Sequence, residues 1–278
     1  MDKKLTQKKQ LSPEYINNLS YTDFVGLVNQ WNVLPGSYVS LTKWRHFADI
    51  TSKSNILEVA CTTGFSSREL AYMTGCKGVG FDISAPSVQQ ANENKKYYKK
   101  KINIKYIVSD GYKFSSKEKF SHVIVGAALR FFPDPQAMLN RLLGMLQDPG
   151  YILATEFYTT KDIPQKLIKE AQGVFGITPT TIAYKDVMKI YESLEVVYED
   201  RNIPLKETDD EINFYTKSTI DRVCKLMKIK DETIYQTMFN RLKKIKEMSN
   251  ALREYQGYNV VVLRRRKETF PNRFTELF

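Results

Sequence analysis

Three features of the sequence predict an α/β fold with a mostly parallel sheet and helices on both faces. Short apolar runs of strand length recur between Asn55 and Tyr158. Amphipathic runs of helix length lie between them. An acidic residue stands at or near the end of each of the first three apolar runs. Parallel strands need a crossover, and a crossover helix covers one face of the sheet, so this alternation closes into a layered structure.

The elements follow in order. MDKKLTQKKQ, residues 1–10, has a basic start and no apolar stretch behind it. It predicts a disordered, solvated tail rather than a secretory signal. Residues 11–50 are aromatic-rich and predict a helical cap. Phe24, Leu27, Val28 and Trp31 recur at helical spacing, LPGSY breaks the chain, and LTKWRHFADI reads as a second helix. The core is expected over 51–207 and 257–278. NILEVA is its first strand. SSRELAYM is a helix with Ser66 or Ser67 as cap and Glu69 in the first turn. GVGFDIS is a strand, and APSVQQANENKKYYKK a helix that tolerates Pro86 near its start. IKYIV and HVIVGA are strands. PQAMLNRLLGML is a helix with Met138, Leu139, Leu142 and Leu146 on one face, and GYILATEFY is the fifth strand. YKDVMKIYES is a helix, LEVVYEDRNI a strand, and YNVVVLRRR the last strand. Residues 208–256, too long for a hairpin loop, predict a helical insertion with two apolar faces. Ile220, Val223, Cys224 and Met227 form one. Ile234, Met238, Leu242, Ile245 and Leu252 form the other, with Ser249 as a polar break. Two such faces could form a homodimer interface.

The totals narrow the function classes. A chain of 278 residues with 42% hydrophobic content suits one large domain with an insertion. No apolar run reaches membrane-span length, so no membrane partner is expected. Cys61, Cys76 and Cys224 lack paired spacing, and His46 and His122 are the only histidines. These predict free thiols, a cytoplasmic location and no metal. The net charge of +11 includes the basic runs RLKKIKE and LRRRKE. Their cations alternate with Glu and Asp, which reads as a solvated surface, and nucleic acid is not expected as a partner.

The chemistry concentrates in EVACTTG, Glu58–Gly64, a turn between a strand and a helix. A cofactor turn must let backbone approach its ligand. Ala60 and Thr62 keep the side chains small there, and both are expected to serve with negative φ. Glu58 excludes a nicotinamide pyrophosphate, which a carboxylate would repel and which needs a fuller glycine fingerprint. It suits a cofactor with a cationic amino acid end and no phosphate, such as S-adenosylmethionine (SAM). Asp82 ends the second strand, where a carboxylate can accept from both ribose hydroxyls, with Ile83 beside it. Asp110 follows the third strand and could accept from the adenine amino group, with Gly111 and Tyr112 lining the base. Three acids at successive strand ends converge on the edge where such sheets bind ligands.

The stretches ILEVACTTGFSSREL, GVGFDIS, VSDGY and VIVGAALRFFPDPQAMLNRLLGMLQDPGYILATEF resemble the class I SAM-dependent methyltransferases. The likeness is strongest to the bacterial small-molecule branch that includes ubiquinone and menaquinone methyltransferase-like proteins. It covers roughly Ile56 to Phe157. It implies a Rossmann-like, seven-stranded sheet whose last strand, Tyr258–Arg265, runs antiparallel. It implies SAM as cofactor, held by Glu58, Ala60, Thr62, Gly64, Asp82, Ile83, Asp110, Gly111, Tyr112, Gly126 and Ala127. The family loop is usually E/D-x-G-x-G-x-G, and this chain lacks two of the three glycines.

The implied activity is methyl transfer to a small molecule or modified peptide through nitrogen or oxygen, chiefly by alignment. After the fourth strand GAALRFF replaces the D/N-P-P-Y typical of enzymes that methylate base amino groups or glutamine. Candidates for a catalytic role are Tyr38, Tyr21 and Asp162. Candidates for acceptor binding are Phe24, Trp44, Arg45, Phe157 and Tyr158, an aromatic set suited to a planar acceptor. Two rival readings stand beside this one. The depleted loop fits a protein that keeps the fold without the activity, and the charge alone fits an RNA methyltransferase.

Overall fold

The computed structural model describes residues 11–266. The expected tail at 1–10 and the end of the chain after 266 lie outside the described residues.

Three helices precede the sheet: α1 (Pro13–Asn18), α2 (Tyr21–Leu27) and α3 (Ser37–Phe47). Ser12 and Ser20 cap the first two by accepting from Tyr15 N and Asp23 N. Then β1 (Asn55–Val59), α4 (Phe65–Thr74), β2 (Lys77–Asp82), α5 (Ala85–Asn94), β3 (Ile104–Val108), β4 (Phe120–Gly126), α6 (Pro135–Met145) and β5 (Leu146–Ala154) alternate as predicted. There follow β6 (Phe157–Thr159), α7 (Gln165–Phe175), α8 (Tyr184–Met188), β7 (Glu195–Asn202), α9 (Asp209–Met227), α10 (Glu232–Leu252) and β8 (Gln256–Arg265).

The strand order is β3-β2-β1-β4-β5-β8, and both β6 and β7 also pair with β8. β1 to β5 are parallel, and β8 runs antiparallel to β5, β6 and β7. This is the expected mixed sheet with one refinement. The predicted fifth strand breaks at Thr155–Glu156, and β6 resumes along the same edge of β8. Asn259 bridges the break: its side-chain Oδ1 accepts from Glu156 N at 2.8 Å, and its N–H donates to Glu156 O at 3.0 Å.

Two cores flank the sheet. One packs α3, α4 and α5 on the face that carries Ile56, Ile124, Leu153, Val260 and Val262. The other packs α6 and Tyr191 on the face of Leu57, Val125, Ile152, Val261 and Leu263. A third cluster joins Ile16, Phe24 and Val28 to the apolar faces of α9 and α10. Most of those two faces, read as a possible dimer interface, is therefore filled by each other and by α1 and α2, while Met227 stays 44% exposed and Leu252 packs with Ile163 and Ala171. Trp31 does not continue α2 as its spacing suggested. The helix stops at Leu27, and Asn29 turns left-handed with φ 45°. No helix among the described residues is long and apolar enough to cross a membrane.

Candidate active site

The carboxyl ends of β1, β2 and β3 lie side by side, with Val59 paired to Phe81 and Asp82 to Val108. The loop after β1 folds back over them. Cys61 N donates to Phe81 O at 2.9 Å, and Gly64 N donates to Cys61 O at 2.7 Å. The expectation of negative φ in this loop is wrong. Ala60 has φ 49° and Thr62 φ 46°, and Gly64 follows at φ 76°. The two residues at the glycine positions hold the left-handed conformation that glycine adopts freely, at about 1–2 kcal/mol per residue. Gly64 itself has no substitute: a Cβ there would stand 2.5 Å from the Tyr106 ring.

The three acids meet different fates. Asp82 is buried, 3% exposed. Its Oδ2 accepts from Thr62 N at 2.9 Å and its Oδ1 from Ser84 N at 2.8 Å. Each oxygen keeps one further lone pair, enough for two vicinal ribose hydroxyls. Burial raises its pKa, and the nearby Asp23 of α2 adds to the rise. Asp110 turns its Oδ1 to Tyr112 N at 2.8 Å, which shapes the loop after β3. Glu58 is aimed elsewhere than the sequence suggested. Its Oε2 accepts from Ser67 N at 3.2 Å and from Ser67 Oγ at 2.5 Å. The N-cap of α4 is Gly64, which has no side chain, so neither Ser66 nor Ser67 caps the helix and Glu58 supplies the acceptor from the neighbouring strand. Burial raises the Glu58 pKa and the serine hydrogen bonds oppose the rise. Ile83 is 70% exposed and Val108 54%, an apolar rim around Asp82 and Asp110. Gly111, Gly126 and Ala127 complete the edge. A Cβ on Gly126 would lie 3.7 Å from Leu34, so the segment before α3 passes over the end of β4.

Residues 50–261 match the family described as a methyltransferase domain. The chain belongs to the methyltransferase family. The MccD protein structure is 26% identical with a TM-score of 0.68, covering 84% of this chain and 100% of that one. A SAM-dependent methyltransferase from Geobacter sulfurreducens, crystallised with S-adenosyl-L-homocysteine, is 15% identical with a TM-score of 0.63, covering 86% and 96%. Coclaurine N-methyltransferase, bound to N-methylheliamine and the same product, is 10% identical with a TM-score of 0.62, covering 91% and 85%. The fold is thus that of class I SAM-dependent methyltransferases. No curated protein matches the sequence.

The acceptor was expected over the cofactor, between the N-terminal segment, the loop after the fifth strand and the helical insertion. The structure separates the residues expected there. Phe24 is fully buried among α2, α9 and α10, with the Arg241 guanidinium 4.4 Å from its ring, so it faces no pocket. Trp44 is fully buried under α3, and Arg45 points to solvent. Packing removes Trp44 from the acceptor set, whereas Arg45 stays exposed on α3. Phe157 remains, edge-on to Tyr258 at 6.5 Å. Tyr158 takes the opposite face. It packs on Tyr184 at 5.4 Å and lines a cavity of about 710 Å³ with Glu199, Asp200, Arg201 and Ile203. Tyr21 packs on Phe175, and burial and the neighbouring Tyr215 push its pKa up to about 12. Tyr38 is half exposed and lies edge-on to Phe65 at 5.2 Å. Burial raises its pKa, and the Glu69 charge adds to this. Asp162 is exposed in the loop after β6.

Two groups were not anticipated. Arg68 is fully buried, stacked 4.2 Å over Trp31, and its Nη1 donates to Thr63 O at 2.6 Å. It ties the cap to the cofactor loop. Glu156, at the end of β5, is 2% exposed and accepts from Tyr191 Oη at 2.5 Å, with Arg130 Nε 3.7 Å away. Burial lifts its pKa from 4.5 to about 7 against both of those contacts. It is a fourth acid at a strand end, and the rule that singled out the first three would have found it.

Proposed function

We propose that the chain transfers a methyl group from SAM to a nitrogen or oxygen of a small molecule or modified peptide. The observation that carries this is the left-handed pair Ala60 and Thr62. A loop that held no ligand could relax these residues to negative φ. Retained strain at a ligand edge points to a shape the function needs. The residues present fit SAM. Asp82 would accept from the ribose hydroxyls, Ile83 and Val108 would flank the adenine, and Asp110 would approach its amino group. The loop backbone at Ala60 and Thr62 would border the amino acid end, with Gly126 and Ala127 leaving room at β4. Asp82 and Asp23 concentrate negative charge where a cationic ligand would lie, in a chain whose net charge is +11. When bound, the cofactor supplies an activated methyl on a sulfonium. The protein's part is then to hold the acceptor in line and exclude water. Phe157 and Tyr258, edge-on to each other, would give a planar acceptor an aromatic wall beside the segment that carries Leu34 and Tyr38.

Calorimetric titration with SAM and S-adenosylhomocysteine, with NADH as control, tests the cofactor. Incubation with labelled SAM and candidate acceptors tests the transfer. Micromolar binding of the first two ligands is expected. Binding without turnover on any acceptor would favour the reading in which the fold is kept for regulation. No binding would refute the proposal.

A further inference from the structure

We propose that Asp23, on the cap helix α2, is a second ribose-binding acid: it accepts from one ribose hydroxyl of the cofactor while Asp82 accepts from the other. This rests on the SAM reading above and deepens it, because it makes the cap part of the nucleoside site.

The cap is fastened beside Asp82. α2 lies against the first turn of α5, and Gly26 leaves no room between them: a Cβ there would stand 2.4 Å from Ser87 N and 2.7 Å from the Pro86 carbonyl carbon. Ser87 Oγ donates to Thr22 O at 2.9 Å, and Ser84 Oγ donates to the same oxygen at 3.4 Å. Ser84 N in turn donates to Asp82 Oδ1 at 2.8 Å. One residue, Ser84, thus binds both the carbonyl that precedes Asp23 and the carboxylate of Asp82. The Asp23 charge is felt at Asp82, where it opposes ionisation.

The Asp23 carboxylate is left free for a ligand. It stands three residues after the N-cap Ser20, whose Oγ accepts from Asp23 N at 3.1 Å. An acid at that position can turn back to the N-cap N–H, as Glu211 does to Thr208 N at 2.7 Å on α9. Asp23 does not. Among the described residues its carboxylate has no hydrogen-bond donor and no ion-pair partner, and the residue is half-buried. Asp82 is held by backbone N–H groups of Thr62, Ile83 and Ser84, with the Cys61 thiol as its other titratable neighbour.

Two neighbouring carboxylates repel, and proton donors or a cation between them relieve it. A metal ion fits poorly, because among the described residues no group of three His, Cys, Asp or Glu could hold one. A vicinal diol fits well. Each hydroxyl has one proton to donate, so one hydroxyl per acid gives both carboxylates a donor. Both hydroxyls on Asp82 would leave Asp23 with none. The exposed Ile83 follows Asp82 directly and offers the adjoining base an apolar face. A phosphate on that diol would meet two carboxylates, so the pair selects an unsubstituted ribose.

The test is calorimetric titration of the full chain and its D23A variant with S-adenosylhomocysteine and with its two monodeoxy forms, each lacking one ribose hydroxyl. D23A should weaken S-adenosylhomocysteine about 10-fold. It should cost nothing further on the form that lacks the hydroxyl held by Asp23, and keep its full cost on the other form. D82N should show the mirror pattern. As pH falls, D23A should also keep its affinity to lower pH than the wild type, because a charge that opposes ionisation of Asp82 is gone. Equal losses on all three ligands would mean that D23A only loosens the cap, and would overturn the proposal. So would unchanged affinity for S-adenosylhomocysteine, or an unaltered pH profile. A wild-type chain that binds none of the three ligands would overturn the SAM reading itself. Wild-type binding with an indifferent D23A would overturn this inference alone.

Discussion

Replacing Ala60 and Thr62 with glycine should stabilise the protein. Both residues sit near φ 48° (49° and 46°), where an L side chain crowds its own carbonyl. The conformation costs about 1–2 kcal/mol per residue. Glycine removes that cost but adds conformational freedom to the unfolded chain, worth about 0.4–1 kcal/mol per site. The net gain is about 0.5–1 kcal/mol at each position. The two sites share one turn, so their sum is an upper figure. For a chain of this size, each kcal/mol raises Tm by about 2–4 °C. Urea titration and thermal melts of A60G, T62G and A60G/T62G check the stability, and SAM calorimetry checks the site. Affinity should hold or rise, because the backbone shape is kept and two side chains leave the ligand edge. A lower urea midpoint for both single variants would refute the reasoning. It would mean that the loop is relaxed as it stands, and the argument from retained strain to cofactor binding would lose its premise.

Gly64→Ala should destabilise by about 2–4 kcal/mol, from the left-handed φ and from overpacking against Tyr106; a wild-type denaturation midpoint would show that the loop and ring can part. Asp82→Asn should weaken SAM binding about 10- to 100-fold, since a charged acceptor is lost while one oxygen remains. Unchanged calorimetric affinity would place the ribose elsewhere. Binding should also weaken as pH falls through the raised pKa of Asp82 and its carboxylate takes up a proton. Glu156 gives the opposite pH dependence for stability. Its pKa is about 7 in the folded chain against an ordinary 4.5. The folded state therefore holds the proton more tightly, so stability from this group is complete below pH 4.5 and is lost as pH rises through 7. Glu156→Gln should remove up to about 3 kcal/mol of that loss at pH 8, and urea midpoints that keep the wild-type pH slope would contradict it.

The first five strands were legible because each is a short apolar run bounded by polar or glycine residues. The break in the fifth was not, because it depends on Asn259, about a hundred residues away. α7 escaped notice because its buried side is small: Ala171 is its only fully buried residue. The ligand edge was legible at Asp82, where strand end and ligand edge coincide. It misled at Glu58, because a sequence does not show which way a buried carboxylate turns. It was silent at Arg68, which reads as a solvated helix residue and is buried only because Trp31 arrives from the cap. The aromatic candidates divided by packing that helical spacing alone does not reveal: Phe24 and Trp44 went to cores, while Phe157 stayed at the edge.

Glu58 changes how mutants of this protein should be interpreted. A Glu58→Ala variant that no longer binds SAM would look like a lost ligand contact. Yet the carboxylate is the joint between a strand and the first turn of α4, and removing it loosens the loop from behind. Ser67→Ala is the control, because it takes away the hydroxyl that the carboxylate holds, keeping only the bond from the residue 67 N–H, and leaves the carboxylate itself in place. Matching losses in the two variants would assign the effect to the scaffold, and a much larger loss at Glu58 would assign it to the ligand. The acid that most invites assignment as a cofactor contact is thus the one whose mutation is least able to prove it.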